Sequence, residues 1–362
     1  MLKAVKPLRV VVCGTTFGRI YLHGIQQMQD EFELAGILAR GSRQAQQCAE
    51  KYNVPLYTDV EQLPNDSIDV ACVVIRSTVA GGQGTQLADN LLLKGIHVMQ
   101  EYPVHHDDLV KCMRSARRSA CHYRLNSFYP DLETVRSFII TARQALQQSE
   151  ALYIDAACSI QVLFPLVDIL GQSLGGFRPW SFRTEAKPLS ESPFCSLSGK
   201  IRGIPINLRV QNQVDPSDPD NHTHLLHRIV IGTNNGRLMM TDSHGLVIWS
   251  PRMHVARGNE RVPGLDGSDH LVDFPVTELV TPFKMQSFKT VYNNLWPESI
   301  QQSLRRFRAT ILSREDDQQL LQYHLTACQV WQDIGQQLGM AQLIKAQPPH
   351  PLSLAELQAL AR

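Results

Sequence analysis

The sequence predicts an α/β protein: a doubly wound parallel sheet at the N-terminal end, then an α+β domain built on a large, mostly antiparallel open sheet. Three observations predict it. Apolar strand-like runs alternate with helix-like runs up to about residue 125. A glycine turn, Cys13-Gly-Thr-Thr-Phe-Gly18, separates the first strand-like run from the first helix-like one. After Pro130 the alternation gives way to β-like runs and tight turns. Among them Asn234-Asn-Gly236 lies between Arg228-Ile-Val-Ile231 and Arg237-Leu-Met-Met-Thr241, a strong hairpin signal.

The first strand begins at Leu8 and stops at Cys13-Gly14. One glycine lets the chain turn sharply. Gly18 lets the next helix, with Ile20, Leu22, Ile25 and Met28, pack close and aim its free N–H groups at a pyrophosphate. This is the opening of a Rossmann dinucleotide-binding unit, with Cys13 and Thr15 standing where G-x-G-x-x-G has its first two glycines. Candidate cofactor contacts are Gly14, Thr15, Thr16, Phe17 and Gly18. The competing reading is a strand–turn–helix without a ligand.

A second strand, Phe32-Glu-Leu-Ala-Gly-Ile-Leu-Ala39, runs into Arg40-Gly-Ser-Arg43 and a helix from Gln44 to Tyr52. NAD-specific proteins place an acid here for the adenosine ribose hydroxyls. This chain has Ala39, Arg40, Gly41, Ser42 and Arg43 instead. Two guanidiniums and a hydroxyl suit a 2′-phosphate, so the expected cofactor is NADP(H). The alternative is a solvated basic loop.

Val54–Tyr57 is a short strand. Ile68–Ile75 reads as a strand buried on both faces, ending at Arg76, Ser77 and Thr78, which fall at the ligand edge of the sheet. A helix from Thr85 to Lys94, a strand from Ile96 to Glu101, a helix from about Asp107 and a strand from His122 to Phe128 complete this half. A long helix to about Gln148, a strand from Ala151 to Ala157 and a helix from about Leu163 to Leu174 come next. Antiparallel runs follow, then helices from about Gln286 to Leu312, breaking at Pro297, and from about Asp316 to Leu338. Ser353 and Glu356 have capping-box spacing for a last helix. The expected division is 1–125, 126–345 and a C-terminal helix in 346–362.

At 362 residues the chain has room for two domains. A net charge of +1 and the absence of basic runs argue against nucleic acid. No stretch approaches the roughly 20 apolar residues of a membrane span, and the N-terminus lacks a signal peptide. Eight cysteines lie scattered without a C-x-x-C pair, as in a cytoplasmic protein with reduced thiols.

Three segments resemble the glucose–fructose oxidoreductase/inositol dehydrogenase superfamily: Cys13 to Arg19, Glu101-Tyr-Pro103, and Phe164 to Gly176. Its sugar-oxidising members carry Glu-Lys-Pro, and a His three residues before an Asp. Here Tyr102 replaces the lysine and Pro165 the histidine, while Asp168 fits the Asp. The whole chain resembles one branch, the thiazolinyl imine reductases of siderophore (yersiniabactin- or pyochelin-type) biosynthesis. Ile37-Leu-Ala-Arg-Gly-Ser-Arg43, Gln100-Glu-Tyr-Pro-Val-His-His106, Asn126-Ser-Phe-Tyr-Pro130 and Thr241-Asp-Ser-His-Gly-Leu-Val-Ile-Trp249 carry this likeness. The resemblance implies NADPH-dependent reduction of a thiazoline C=N to a thiazolidine, on an intermediate held as a thioester by a nonribosomal peptide synthetase carrier domain. It also implies a homodimer.

Such a reduction needs an acid for the nitrogen. Glu101, Tyr102, His105, His106 and Tyr129 lie where the fifth and sixth strands end. Tyr129 is the favoured donor, because a buried tyrosine, with an ordinary pKa of about 10, keeps its proton. Glu101 is expected to orient the nicotinamide ribose or a water. Tyr102 is expected to line the site, and both histidines to be loop or cap residues. The competing role for Tyr129 is packing. Asp168 is expected to be a helix-face acid. Phe164, Trp249 and Trp296 are candidates for an aromatic wall, or for core packing. His222, His224 and His227 lack a carboxylate or cysteine at useful spacing, so no metal is expected. Two other functions compete: an NADP-dependent dehydrogenase of a sugar or small alcohol, and a non-catalytic NADP-binding regulator.

Overall fold

The computed structural model describes residues 6–64, 66–75, 83–185, 192–254, 273–282, 284–313 and 317–359. In chain order the first half holds β1 (Leu8–Cys13), α1 (Gly18–Gln26), β2 (Phe32–Leu38), α2 (Arg43–Tyr52), β3 (Leu56–Tyr57), β4 (Val70–Val73), α3 (Gln83–Leu93), β5 (His97–Glu101), α4 (His106–Arg118) and β6 (Tyr123–Asn126). Among the described residues these strands form a six-stranded sheet in the order β3-β2-β1-β4-β5-β6. Every pair in it is parallel. This is the doubly wound arrangement, with its crevice where the order reverses between β1 and β4. Val10, Val11, Val12, Val70, Ala71 and Cys72 are fully buried there, because helices cover both faces of a parallel sheet.

The second half holds α5 (Glu133–Gln148), β7 (Ala151–Ser159), α6 (Leu163–Leu174), β8 (Trp180–Thr184), β9 (Phe194–Ile201), β10 (Ile204–Gln211), β11 (Gln213–Val214), β12 (His227–Thr233), β13 (Gly236–Met240), β14 (Val247–Pro251) and β15 (Glu278–Leu279). After it come α7 (Phe288–Thr290), α8 (Trp296–Ser313), α9 (Gln318–Leu338), β16 (Gln342–Leu343) and α10 (Leu354–Ala359). The larger sheet runs β15-β14-β13-β12-β7-β10-β9-β8 among the described residues. Asn234 and Asn235 form the predicted hairpin, with Gly232 opposite Arg237. One pairing departs from the antiparallel expectation: β10 lies parallel to β7. The chain passes through α6 and β8–β9 before returning, and such a crossover admits a parallel neighbour. In β10 the side chains of Ile206, Leu208 and Val210 point inward, while Pro205, Asn207 and Arg209 are exposed. Helices α5, α6 and α9 cover the inner face. The other face is open.

The helices after β15 do not stay with the second sheet. Helix α8 packs on α1: Gln301 Nε2 donates to Gly24 O at 3.3 Å, and Arg305 pairs with Glu31 at 2.8 Å. Helix α9 packs on α4, with Gln332 Nε2 at 2.9 Å from His105 Nδ1. The division expected by residue number therefore assigns to the second unit two helices that also clamp the first. The expected break at Pro297 falls at the start of α8, directly after a π-helical turn, Val291–Leu295. Proline has no N–H to return to the carbonyl four residues earlier. That carbonyl, Asn293 O, lies instead 3.1 Å from His23 Nε2 on α1. At the C-terminus the capping box forms: Ser353 Oγ accepts from the Glu356 N–H at 3.2 Å, and Glu356 Oε2 accepts from the Ser353 N–H at 2.7 Å. Residues 344–353 are not helical, and the helix begins directly after Ser353, where the capping-box spacing placed its start.

Candidate active site

The cofactor turn is built as its residues require. Gly14 has φ +96°, and a Cβ there would lie 2.6 Å from Val74 O, so the position admits only glycine. A Cβ on Gly18 would meet Val12 at 3.3 Å, which is how closely α1 approaches β1. No side chain caps α1, leaving its first N–H groups facing the turn. The Gly14 N–H donates to Leu38 O at 2.9 Å, and Gln44 Nε2 donates to Thr15 O at 2.8 Å. These bonds bring the loop after β2 alongside the turn. Thr15 is buried, while Thr16 is exposed, with its carbonyl accepting from Arg19 at 3.1 Å.

After β2 the chain turns tightly. Gly41, at φ +74°, returns its N–H to Ala39 O at 2.8 Å and leaves Arg40 at the tip. Arg40 and Arg43 are exposed and form no ion pair among the described residues. Ser42 has a second duty that the sequence reading missed. It is the N-cap of α2, its Oγ accepting from the Ala45 N–H at 3.2 Å. Arg76, Ser77 and Thr78 lie outside the described residues. The residues that are described fit a dinucleotide: a cradle that a Cβ would fill, an uncapped helix start, and two unpaired guanidiniums beside it.

Glu101 ends β5, and its side chain is buried. Its Oε2 accepts a short hydrogen bond from the Tyr21 hydroxyl, which accepts from Asn126 Nδ2 at 2.6 Å. Its other oxygen, Oε1, is buried with no partner. Burial pushes the Glu101 carboxyl up to about 8, against the two hydrogen bonds that favour its charged form. Tyr21 was invisible to sequence reasoning as a site residue. It sits on the apolar face of α1 and reads as core; only its hydroxyl, which must find a partner when buried, hinted otherwise.

Tyr102 follows, joined to Pro103 by a cis peptide bond. Its ring stacks on Phe164 of α6, centroids 5.9 Å apart at 15°. Its ring stands edge-on to that of Tyr129, centroids 6.5 Å apart at 64°. Burial drives both phenols well above their ordinary range, so both keep their protons. Tyr129 sits on a tight turn after β6. Its N–H bonds back to Ser127 O around Phe128, which has φ +35°. For a bulky residue that conformation costs of order 1–3 kcal/mol and persists only where surroundings enforce it, typically at functional sites.

Aromatic rings enclose this corner. Phe128 lies 5.4 Å from Phe17 of the cofactor turn and 5.5 Å from Trp296. Behind Tyr129, at 4.9 Å, stands His227, fully buried. Its Nδ1 accepts from Ser243 at 2.7 Å, and its Nε2–H donates to Val162 O at 2.8 Å. Burial lowers the His227 pKa to about 4, so the ring is neutral, and these two hydrogen bonds occupy both of its nitrogens. His222 faces Asp218 at 3.4 Å and His224 faces Phe194, so the three histidines diverge. Among the described residues no group of three or more His, Cys, Asp or Glu side chains could hold a metal.

His244 is the other residue that the sequence reading left unassigned. Its Nε2 accepts from Trp296 Nε1 at 3.1 Å. Because the indole only donates, the proton of His244 is on Nδ1. His105 stands at the N-cap position of α4 and His106 is its first residue, and their rings bond to Gln332 and Gln329 of α9 at 2.9 and 3.3 Å. Phe164 and Trp296 belong to the aromatic wall, as expected. Trp249 does not: it packs over Gly236 on β13. Asp168 is an acid on the face of α6 and a buried one: it is 6% exposed and accepts from Ser127, Gln172 and Tyr323.

The comparisons with known proteins agree with this geometry. Residues 8–127 match the model of an oxidoreductase family with an NAD-binding Rossmann fold. Residues 149–250 match the C-terminal domain described as thiazolinyl imine reductase Irp3-like. Among curated proteins no sequence matches the chain. Similar solved structures include KijD10, a 3-ketoreductase from Actinomadura kijaniata in complex with NADP. It is 15% identical, with TM-score 0.65 over 93% of this chain and 99% of its own. A biliverdin reductase from Synechocystis sp. PCC 6803, in complex with biliverdin and NADP+, is 13% identical, with TM-score 0.61 over 91% and 98%. GenD2 from gentamicin A biosynthesis, in complex with NAD, is 11% identical, with TM-score 0.62 over 91% and 93%. At these identities the likeness is one of fold. Together the two matches show that the chain carries an NAD-binding Rossmann domain of that oxidoreductase family, followed by a C-terminal domain of the Irp3-like thiazolinyl imine reductase kind.

Proposed function

We propose that this oxidoreductase uses NADPH to reduce a thiazoline C=N to a thiazolidine on a siderophore intermediate tethered to a peptide synthetase carrier domain. The observation that carries the reading is the tyrosine pair at the ends of β5 and β6: Tyr102 stands where sugar-oxidising relatives have a lysine, with its ring 6.5 Å from that of Tyr129. The Irp3-like match over residues 149–250 supports it. When bound, NADPH supplies a hydride to the imine carbon. The protein must hold the substrate, exclude water and protonate the nitrogen.

Gly14 to Gly18 would hold the pyrophosphate, and Arg40 and Arg43 the 2′-phosphate. Glu101, whose Oε1 is buried without a partner, would orient the nicotinamide ribose. Tyr129 donates its proton to the imine nitrogen, forming the N–H of the product. The phenolate left on Tyr129 is stabilised by the Tyr102 O–H and regains a proton from solvent after release. The rings of Phe128, Trp296 and Tyr102 form flat apolar walls for a planar hydroxyphenyl–thiazoline. A second copy docks on the open face of the larger sheet, where Val230, Met239, Ile248 and Leu279 form one cross-strand apolar row.

The test is cofactor oxidation by the purified chain with a hydroxyphenyl-thiazoline ester and with the same group on a carrier domain, using NADPH beside NADH. The expected result is oxidation with a strong NADPH preference, faster on the carrier. Oxidation of sugars or polyols instead, or tight NADPH binding with no turnover of either thiazoline, overturns the reading.

A further inference from the structure

Tyr129 is placed by a turn that its own residues disfavour, so something outside the turn must hold it. Three anchors converge on it. Ser127 Oγ donates to Asp168 of α6. Ser299 Oγ of α8 donates to Phe128 O at 2.5 Å. Asp131 accepts from Ser303 at 2.6 Å and from Arg306. The first anchor differs from the others, because Asp168 is itself fixed. Its second oxygen accepts from Gln172 Nε2 at 2.9 Å and from the Tyr323 hydroxyl at 2.7 Å, and that hydroxyl also lies 3.0 Å from Asp168 O.

Helix α6 adds a second contact with the same corner. Phe164 lies one turn before Asp168, on the same helical face. Phe164 stacks on Tyr102, while Asp168 holds the residue that begins the Tyr129 turn. One face of one helix therefore touches the supports of both hydroxyls in the tyrosine pair.

We propose that Asp168 is a positioning residue, which, through Ser127 and the Phe128 turn, sets Tyr129 against Tyr102, with Phe164 of the same helix face setting Tyr102. It reaches the chemistry only through these neighbours. The proposal rests on Tyr129 being the proton donor. A displacement of about 1 Å at such a group is enough to cost on the order of a hundredfold in rate.

The experiment combines kinetics with NMR of the full chain labelled at tyrosine Cζ, the Tyr129 signal being assigned by its loss in Tyr129→Phe. In Asp168→Asn and in Ser127→Ala, the Tyr129 signal is expected to move and kcat to fall at least tenfold, with KM for NADPH unchanged. The double variant should be no slower than the worse single one. In a Tyr129→Phe background, Asp168→Asn should leave the residual kcat unchanged. Equal losses with and without Tyr129, or additive losses for Ser127 and Asp168, would mean a merely structural role and overturn the proposal. If Asp168→Asn does not fold, Ser127→Ala carries the test. Should the wild-type chain reduce no thiazoline, the functional reading fails. The NMR arm still decides the positioning: a Tyr129 signal that moves supports it, and one that stays overturns it.

Discussion

A tyrosine and a carboxyl group, both buried at the end of the parallel sheet, are the residues on which the proposed chemistry turns. Removing the Tyr129 hydroxyl should cost the general-acid contribution, roughly 10²–10⁴-fold in turnover. Tyr129→Phe should bind NADPH as the wild type does, by fluorescence titration; near-normal turnover would reassign the proton donor. Glu101 gives a test that needs no substrate. Its carboxyl is raised from 4.5 to about 8 in the folded chain by burial. Between those values the folded state holds a proton that the unfolded state releases, so the contribution of this group to stability is greatest below 4.5 and is lost as pH rises through about 8. One such group contributes a slope of at most about 1.4 kcal/mol per pH unit. Glu101→Gln should remove that fall, and denaturant titrations at pH 5 and pH 8 measure it. Parallel pH dependence in wild type and variant would show that Glu101 is not neutral at pH 6.

Helix starts do double work around the cofactor cradle. Helix α1 leaves its first N–H groups uncapped, whereas α2 is capped by Ser42 immediately after Arg40 and Gly41. Losing a serine N-cap costs about 1 kcal/mol, and glycine in its place only a few tenths. Ser42→Ala should therefore lower the stability of the chain by about 1 kcal/mol and Ser42→Gly by much less, by denaturant unfolding. If Ser42 served the phosphate alone, both would leave stability unchanged and weaken only NADPH binding. The pattern of elements was legible because periodicity is local: α6 falls at Leu163–Leu174, as its apolar run predicts. Strands β8 and β15, at the two edges of the larger sheet, and β9 beside β8 were not individually legible, since they are half exposed and their alternation is weak.

Across the molecule, four histidines among the described residues are held neutral by burial. His97, His227, His244 and His324 are each lowered from 6.5 to about 4. In that window the unfolded chain binds more protons, so stability is lost as pH falls from about 6.5 toward 4. Glu101 works in the opposite sense above pH 4.5 and offsets part of the loss. Acid unfolding should therefore be steep, with net uptake of more than one proton by calorimetry or from the slope of stability against pH. A flat stability profile between pH 6.5 and 4.5 would contradict these burials. No helix among the described residues is long and apolar enough to cross a membrane.

The sequence by itself determined the class of fold, the glycine turn, the missing acid after β2 and the residues at the ends of β5 and β6. Each of these depends on neighbours along the chain: an apolar period, a turn residue, a residue type at a fixed offset. Only the tertiary structure decided which of those side chains meet. It brought Tyr21 from α1 to Glu101 and Asp168 from α6 to Ser127, 80 and 41 residues apart. It also set His227 behind Tyr129 and withdrew Trp249 from the wall. Such pairings follow from how helices pack across two sheets, and no local pattern encodes a partner that far along the chain.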